Sequence, residues 1–253
     1  MKVVFYIFFF LTSCLKTFSQ EYLPKSEGEL VRHKYYTLSY NELHEQANWV
    51  HYKLNPILLK GTTPRVDSFI EDSLVSTNSS GLTDYKGSGY DRGHLVPAAD
   101  MKYSKESMRE SFFMSNISPQ NPNFNRGIWR KLEQLIREWG RKGEIFITTG
   151  GVLNNEILGS IGYNKVSVPS KFYKIVYSVD KNTMIGFLIP NKKTDGKLEN
   201  YVVSVDSIEL ITDIDFYKEL PNDLEKMLES KIDIHQWGLD NSKNYKTSIK
   251  SKQ

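Results

Sequence analysis

The sequence predicts an α+β protein, and three features carry that prediction. The runs Glu144 to Thr149, Phe172 to Val179 and Thr183 to Ile189 are β-branched and aromatic and are bounded by turn residues, as strands of one sheet would be. Asp180-Lys181-Asn182 between the last two is a natural hairpin connection, so at least part of that sheet is expected to be antiparallel. From Asn125 onward the period changes. Ile128, Leu132, Leu135, Ile136 and Trp139 form an apolar stripe, while Asn125, Trp129 and Glu133 recur at i, i+4 and i+8 on another side, which predicts a helix starting near Asn125.

The chain has 253 residues, 39% apolar and 25% charged, an ordinary globular composition with enough material for a sizeable core. Its net charge of +3, from 33 basic and 30 acidic residues, is too small to announce a polyanionic partner. Charge is more concentrated between Tyr90 and Lys142, where ten Lys/Arg against six Asp/Glu leave +4. The single cysteine, Cys14, lies in an N-terminal apolar stretch, which excludes an internal disulfide and a thiolate metal site from the rest of the chain.

Taken in order, residues 1–20 read as a secretory signal, since Met1-Lys2 precede an apolar run from Val3 to Leu11 that is too short to span a membrane. Cleavage after Gln20 would leave Phe18 in the minus-three place, whereas Leu11-Thr12-Ser13-Cys14 resembles a lipoprotein box; either outcome exports the protein, and only a lipid on Cys14 would tie it to a membrane. Ser39 is expected to cap a helix running to about Leu54. Within it His44, Glu45 and His51 suggest a zinc-protease helix, but Asn48 stands where the second histidine is required, so ordinary helix-face histidines are expected. Residues 55–87 are rich in Pro, Gly, Ser, Thr and Asp and read as irregular connections. Short helices are expected around Val205 to Leu210 and Asp223 to Glu229, with Pro221 near the start of the second. A main domain over 21–235 and a disordered basic tail over 236–253 complete the expected organisation.

The residues that carry chemistry lie between 87 and 142. Glycines punctuate Gly87-Ser88-Gly89-Tyr90-Asp91-Arg92-Gly93-His94, so this run should be extended, with Tyr90, Arg92 and His94 on one face. That pairs a fixed cation with an imidazole whose ordinary pKa of about 6.5 lets it take a proton at neutral pH. Downstream, Asn125 could cap the helix or hold a metal; at about 1.5 Å rise per residue it is about 12 Å along the axis from Glu133, too far for both to touch one small ion.

Asp91-Arg92-Gly93-His94, followed by Pro97-Ala98, Asp100, Asn116-Ile117-Ser118-Pro119-Gln120, Asn125-Arg126-Gly127-Ile128-Trp129 and Leu132-Glu133, resembles the DNA/RNA non-specific endonuclease family of ββα-metal nucleases. The likeness extends from roughly Leu23 to about Ile232, with Arg65 in an upstream arginine segment and Val168 to Lys174 in the later strands. The resemblance implies a ββα-metal nuclease fold with a central, largely antiparallel sheet flanked by helices. It implies His94 as general base, Asn125 as the direct ligand of a hydrated Mg2+ (Mn2+ able to substitute), and Glu133 acting through metal-bound waters. By the same resemblance Arg92, Arg65 and Arg137 face phosphate or transition-state charge and Asn116 and Gln120 orient the substrate. For Arg137 a helix-surface ion pair with Glu133 competes; for Arg65 a structural salt bridge does.

The expected activity is an exported, magnesium-dependent endonuclease on DNA and RNA with no permanent protein partner. An arginine-lined site without a recognition module holds the backbone without reading bases. A catalytically silent surface nucleic-acid binder and a phosphodiesterase of small substrates are the alternatives from other classes.

Overall fold

The computed structural model describes residues 21–154 and 157–239; the expected leader over 1–20 and the tail beyond residue 239 lie outside them. Eleven strands occur in the described residues: β1 (Glu29–Arg32), β2 (Thr37–Asn41), β3 (Gln46–Leu54), β4 (Asp91–His94), β5 (Ile117–Gln120), β6 (Ile145–Gly151), β7 (Ile157–Ile161), β8 (Val166–Pro169), β9 (Lys171–Ser178), β10 (Thr183–Pro190) and β11 (Val202–Val203). Seven of them form one antiparallel sheet in the order β1-β2-β3-β6-β9-β10-β11. The three strands expected from composition are β6, β9 and β10, and the hairpin between the last two closes with Asn182 at a left-handed φ of 47°.

The helix expected from Ser39 to Leu54 is not there: the segment forms β2 and β3, joined by a turn in which Glu45 adopts φ 53°. Almost every residue of β3 is buried because both faces of the sheet are covered. A strand covered on both faces loses the apolar–polar alternation by which strands are read.

The helices are α1 (Leu82–Tyr85), α2 (Lys105–Glu110), α3 (Pro122–Phe124), α4 (Arg130–Gly140), α5 (Val205–Thr212) and α6 (Asn222–Ser230). Between α3 and α4 the chain makes a π-helical turn, Asn125–Trp129, in which Gly127 leaves helical geometry at φ −100°, ψ −110°. The helix therefore starts earlier than expected, and its cap is Asn121, whose side chain accepts from the Asn123 backbone N–H at 2.9 Å with Pro122 in the first turn. Strands β4 and β5 pair antiparallel and feed directly into α3, the π turn and α4, which makes the ββα unit.

Side-chain alternation gives the large sheet two cores. On one face Val50, Tyr52 and Leu54 of β3, Ile145 and Ile147 of β6, Phe172 and Val176 of β9 and Phe187 of β10 meet Leu132, Ile136 and Trp139 of α4. On the other, Trp49, Phe146, Tyr173, Ile175, Tyr177 and Met184 meet Val205 and Ile208 of α5 and Leu228 of α6. The packing continues past residue 235: Trp237 is buried, stacks edge-on against Trp139 at 4.6 Å and accepts a hydrogen bond from its indole N–H through the backbone carbonyl. Residues 236–239, which the expected tail had included, are therefore part of the packed chain.

Candidate active site

The site is built where the ββα unit rests against the first core. β4 can approach β5 closely because residue 93 is glycine: a Cβ there would lie 2.1 Å from Gln120 Cδ, on the partner strand. Arg92 and His94 project to one side, as the extended reading expects, and both meet Phe69, with the Arg92 guanidinium 4.4 Å from the ring centroid and the imidazole 5.4 Å from it. Phe112 meets the imidazole edge-on at 4.9 Å and carries the Arg65 guanidinium at 5.0 Å. Two phenylalanines thus form a floor on which two arginines and His94 are set, a favourable seat for the cations.

His94 Nε2 is buried with no hydrogen-bond partner. Burial, then the Arg65 charge, pull the imidazole pKa down to about 3, with Asp67 and a backbone hydrogen bond at Arg92 opposing them. His94 is therefore neutral at physiological pH, and its free nitrogen is a proton acceptor.

Asn125 sits at the start of the π turn, half-buried, and donates its amide N–H to Asp91 Oδ2 at 2.9 Å. Asp91 also receives Arg126, through Nε at 2.8 Å and Nη2 at 2.5 Å. With its amide nitrogen committed to a carboxylate, the Asn125 side chain presents its oxygen as the remaining donor. An amide oxygen beside carboxylates, with no thiolate in the described residues, is the donor chemistry of a hard divalent cation.

Glu133 lies on α4 among buried charge. Desolvation raises its carboxyl to about 7, opposed by Lys174, while Lys174, fully buried on β9, is pushed down to about 8 by the same cause. Lys174 Nζ donates to the Leu95 carbonyl at 3.3 Å and lies 4.6 Å from the Trp129 ring centroid. Asp100, 1% exposed, accepts from Arg137 Nη1 at 2.7 Å and from the Tyr52 hydroxyl at 2.9 Å. Arg65 is felt electrostatically at both His94 and Glu133, so the strand half and the helix half share one field.

An open cleft of about 860 Å³ adjoins the strand half of this arrangement, lined by Arg65, Phe69, Tyr90, Asp91, Arg92 and Asn125 among others, with His94 and Glu133 outside its lining. Four expectations change. Trp129 does not share a face with Asn125: it is fully buried against Phe124 and Phe172, because a π turn inserts a residue and rotates the side chains beyond it. Asn116 is fully buried with its amide spent on backbone, accepting from Val96 N–H and donating to the Val96 and Ser111 carbonyls, so it holds the chain rather than substrate. Gln120 is equally buried, pressed on Gly93, and offers no surface to substrate. Arg137 pairs with Asp100, not Glu133, and only 13% of its side chain is exposed, which removes it from the cleft surface. Arg65 keeps both readings, being at the cleft and also 2.6 Å from Asp67 Oδ1.

Sequence reasoning gave no role to Asp91, Lys174 or the Asp100–Tyr52 contact. For Asp91 the signal was adjacency to the Arg92–His94 pair; for Lys174 it was a lysine inside an otherwise apolar strand, which a buried partner must explain. The histidines of the apparent zinc helix lie off any helix, His44 bonded to Ser167 Oγ at 2.9 Å and His51 to Thr148 Oγ1 at 2.7 Å.

An antiparallel strand pair feeding a helical segment, with a neutral histidine on the strand and an oxygen-donor asparagine at the π turn, defines a metal-dependent endonuclease of the ββα-metal fold. The chain belongs to the DNA/RNA non-specific endonuclease family, whose model matches residues 16–223. It is 38% identical over 216 residues to a nuclease of Nostoc sp., covering 78% of this chain and 76% of the relative. It is 32% identical over 199 residues to human mitochondrial endonuclease G, covering 72% and 67%. Among solved structures, endonuclease G in the EndoG/EndoGI complex superposes with a TM-score of 0.70 at 26% identity, covering 79% of this chain and 89% of the other.

Proposed function

We propose that this protein is an exported, magnesium-dependent endonuclease that hydrolyses phosphodiester bonds in both DNA and RNA without reading sequence. The observation that carries the reading is the buried, unpartnered Nε2 of a neutral His94 beside two cleft arginines, with Asn125 tied to the same strand through Asp91. Asn125 would hold the cation through its side-chain oxygen, with Glu133 reaching it through water. When bound, the cation supplies positive charge to the scissile phosphate and to the charge that develops on it.

His94 accepts the proton of the attacking water at Nε2. Arg92 and Arg65 bind the phosphate backbone and orient it, which fixes position without base contacts. Phosphate between the two arginines also offsets the positive field that, after burial, depresses the His94 pKa, so the base strengthens when substrate arrives. Asp91 fixes which end of the Asn125 amide faces outward.

The test is a plasmid, linear-DNA and RNA degradation assay with magnesium, a small phosphodiester ester as control, and native-protein mass spectrometry for the N-terminus. Degradation of all three nucleic acids, loss of activity on full chelation and an N-terminus near Glu21 or a lipid on Cys14 are expected. Cleavage at one recognition sequence only, turnover of the small ester alone, or a retained Met1 contradicts the corresponding part.

A further inference from the structure

The face of the sheet opposite the active site carries a second concentration of acid. Asp206 and Glu209 stand three residues apart on α5, hence on one side of it, and Glu229 arrives from the last turn of α6. One carboxylate oxygen of each lies within 4.8 Å of one from both others. Asp206 is exposed, Glu209 half-buried and Glu229 only 5% exposed. Glu229 Oε1 is buried and has no hydrogen-bond partner. Glu209 Oε1 accepts from the Phe216 backbone N–H at 2.8 Å, which leaves its second oxygen for the cluster.

No Lys, Arg or His among the described residues makes an ion pair with any of the three. The negative field is strong: burial, then Glu209 and Glu225, push the Glu229 carboxyl up to about 9. A buried carboxyl without a partner costs stability, whether it is held protonated or left charged, unless a cation reaches it.

We propose that Asp206, Glu209 and Glu229 bind a calcium ion that clamps α5 to α6. The donor set is oxygen only, as a hard cation requires. Calcium–oxygen bonds of about 2.3–2.6 Å keep any two ligands of one ion within about 5.2 Å of each other, a condition the three carboxylates meet, and calcium tolerates irregular, partly hydrated geometry such as an exposed Asp206 leaves. Magnesium, with bonds of about 2.1 Å and a strict octahedron, suits such an irregular carboxylate set less well. The site is independent of the nuclease chemistry, since it lies with the core that contains Tyr173 and Ile175 rather than with α4.

The test uses the full chain carrying Asn125→Ala, so that the cation expected at the nuclease site does not interfere, with calcium chloride as the probe. Calorimetry is expected to give about one calcium per chain, and thermal unfolding a rise of roughly 5–10 °C at a hundredfold excess over Kd. Adding Glu229→Gln should abolish both effects while raising the unfolding temperature in chelator, because the cost of holding a buried carboxyl protonated at neutral pH has gone. The surface variant Asp206→Asn should weaken calcium binding without touching the core, which keeps the test decisive if the buried variant misfolds. In an otherwise wild-type chain, Glu229→Gln should leave magnesium-supported nuclease activity unchanged. Equal calcium stabilisation with and without Glu229→Gln, no calcium binding, or an equal response to magnesium overturns the proposal.

Discussion

His94 owes its protonation state to its surroundings rather than to its residue type. Desolvation and the Arg65 charge hold its pKa near 3, so in the free enzyme it is neutral throughout the range in which its ordinary value would have it titrating. His94→Ala should lower kcat by at least roughly a hundredfold, the usual cost of losing a general base, while metal affinity by calorimetry stays near wild type. The ratio of wild-type to His94→Ala kcat/KM should stay flat from pH 8 down to about 5, because any limb from Glu133, raised to about 7, cancels in the ratio. A midpoint near 6.5 in that ratio would refute the depressed pKa. Linkage sets the sign for stability: a histidine whose folded pKa lies below its unfolded one contributes fully above about pH 6.5, and that contribution is lost as pH falls toward 3. At this scale the motif residues His94 and Asn125 were legible in the sequence, because side-chain chemistry and order along the chain suffice for them. Asp91 as the partner of Asn125 was not, since 34 residues separate them and only the fold closes that distance. The burial of Asn116 and Gln120 was illegible for the same reason: polar side chains are ordinarily exposed, and only packing shows that the Asn116 amide is spent on backbone while that of Gln120 is buried without a partner.

The ββα unit depends on one missing side chain. Gly93→Ala would set a methyl 2.1–2.4 Å from the Gln120 side chain between paired strands, and overpacking of that kind costs about 1–3 kcal/mol. The expected outcome is a lower unfolding temperature together with a lower kcat, because the strand that moves carries His94; an unchanged unfolding temperature would show that Gln120 swings aside freely. Strands β6, β9 and β10 and helices α5 and α6 could be read from composition and turn signals. The β2–β3 hairpin could not, since a strand buried on both faces offers no alternation and its apolar spacing imitates a helix. The π turn at Asn125–Trp129 was illegible too: a helical period read across it carries Trp129 to the wrong face.

For the molecule as a whole, the chain needs residues beyond the expected domain end. Trp237 covers Trp139 on α4, so a chain ending at residue 235 should lose about 3 kcal/mol or more, the scale of removing a buried tryptophan, whereas one ending at 239 should unfold like the full protein. Chemical denaturation of the two truncations checks this, and equal midpoints would mean that the indole pair contributes nothing. Helix α4 presents Leu132, Ile136 and Trp139 to the sheet and carries Glu133 and Arg137 into the buried charge around Asp100 and Lys174. Selection for a sturdier core and selection for a different catalytic environment therefore act on alternate residues of the same eleven. A laboratory evolving this nuclease toward heat tolerance should find its gains at the far helices and surface loops, and should find α4 the least permissive stretch in any library.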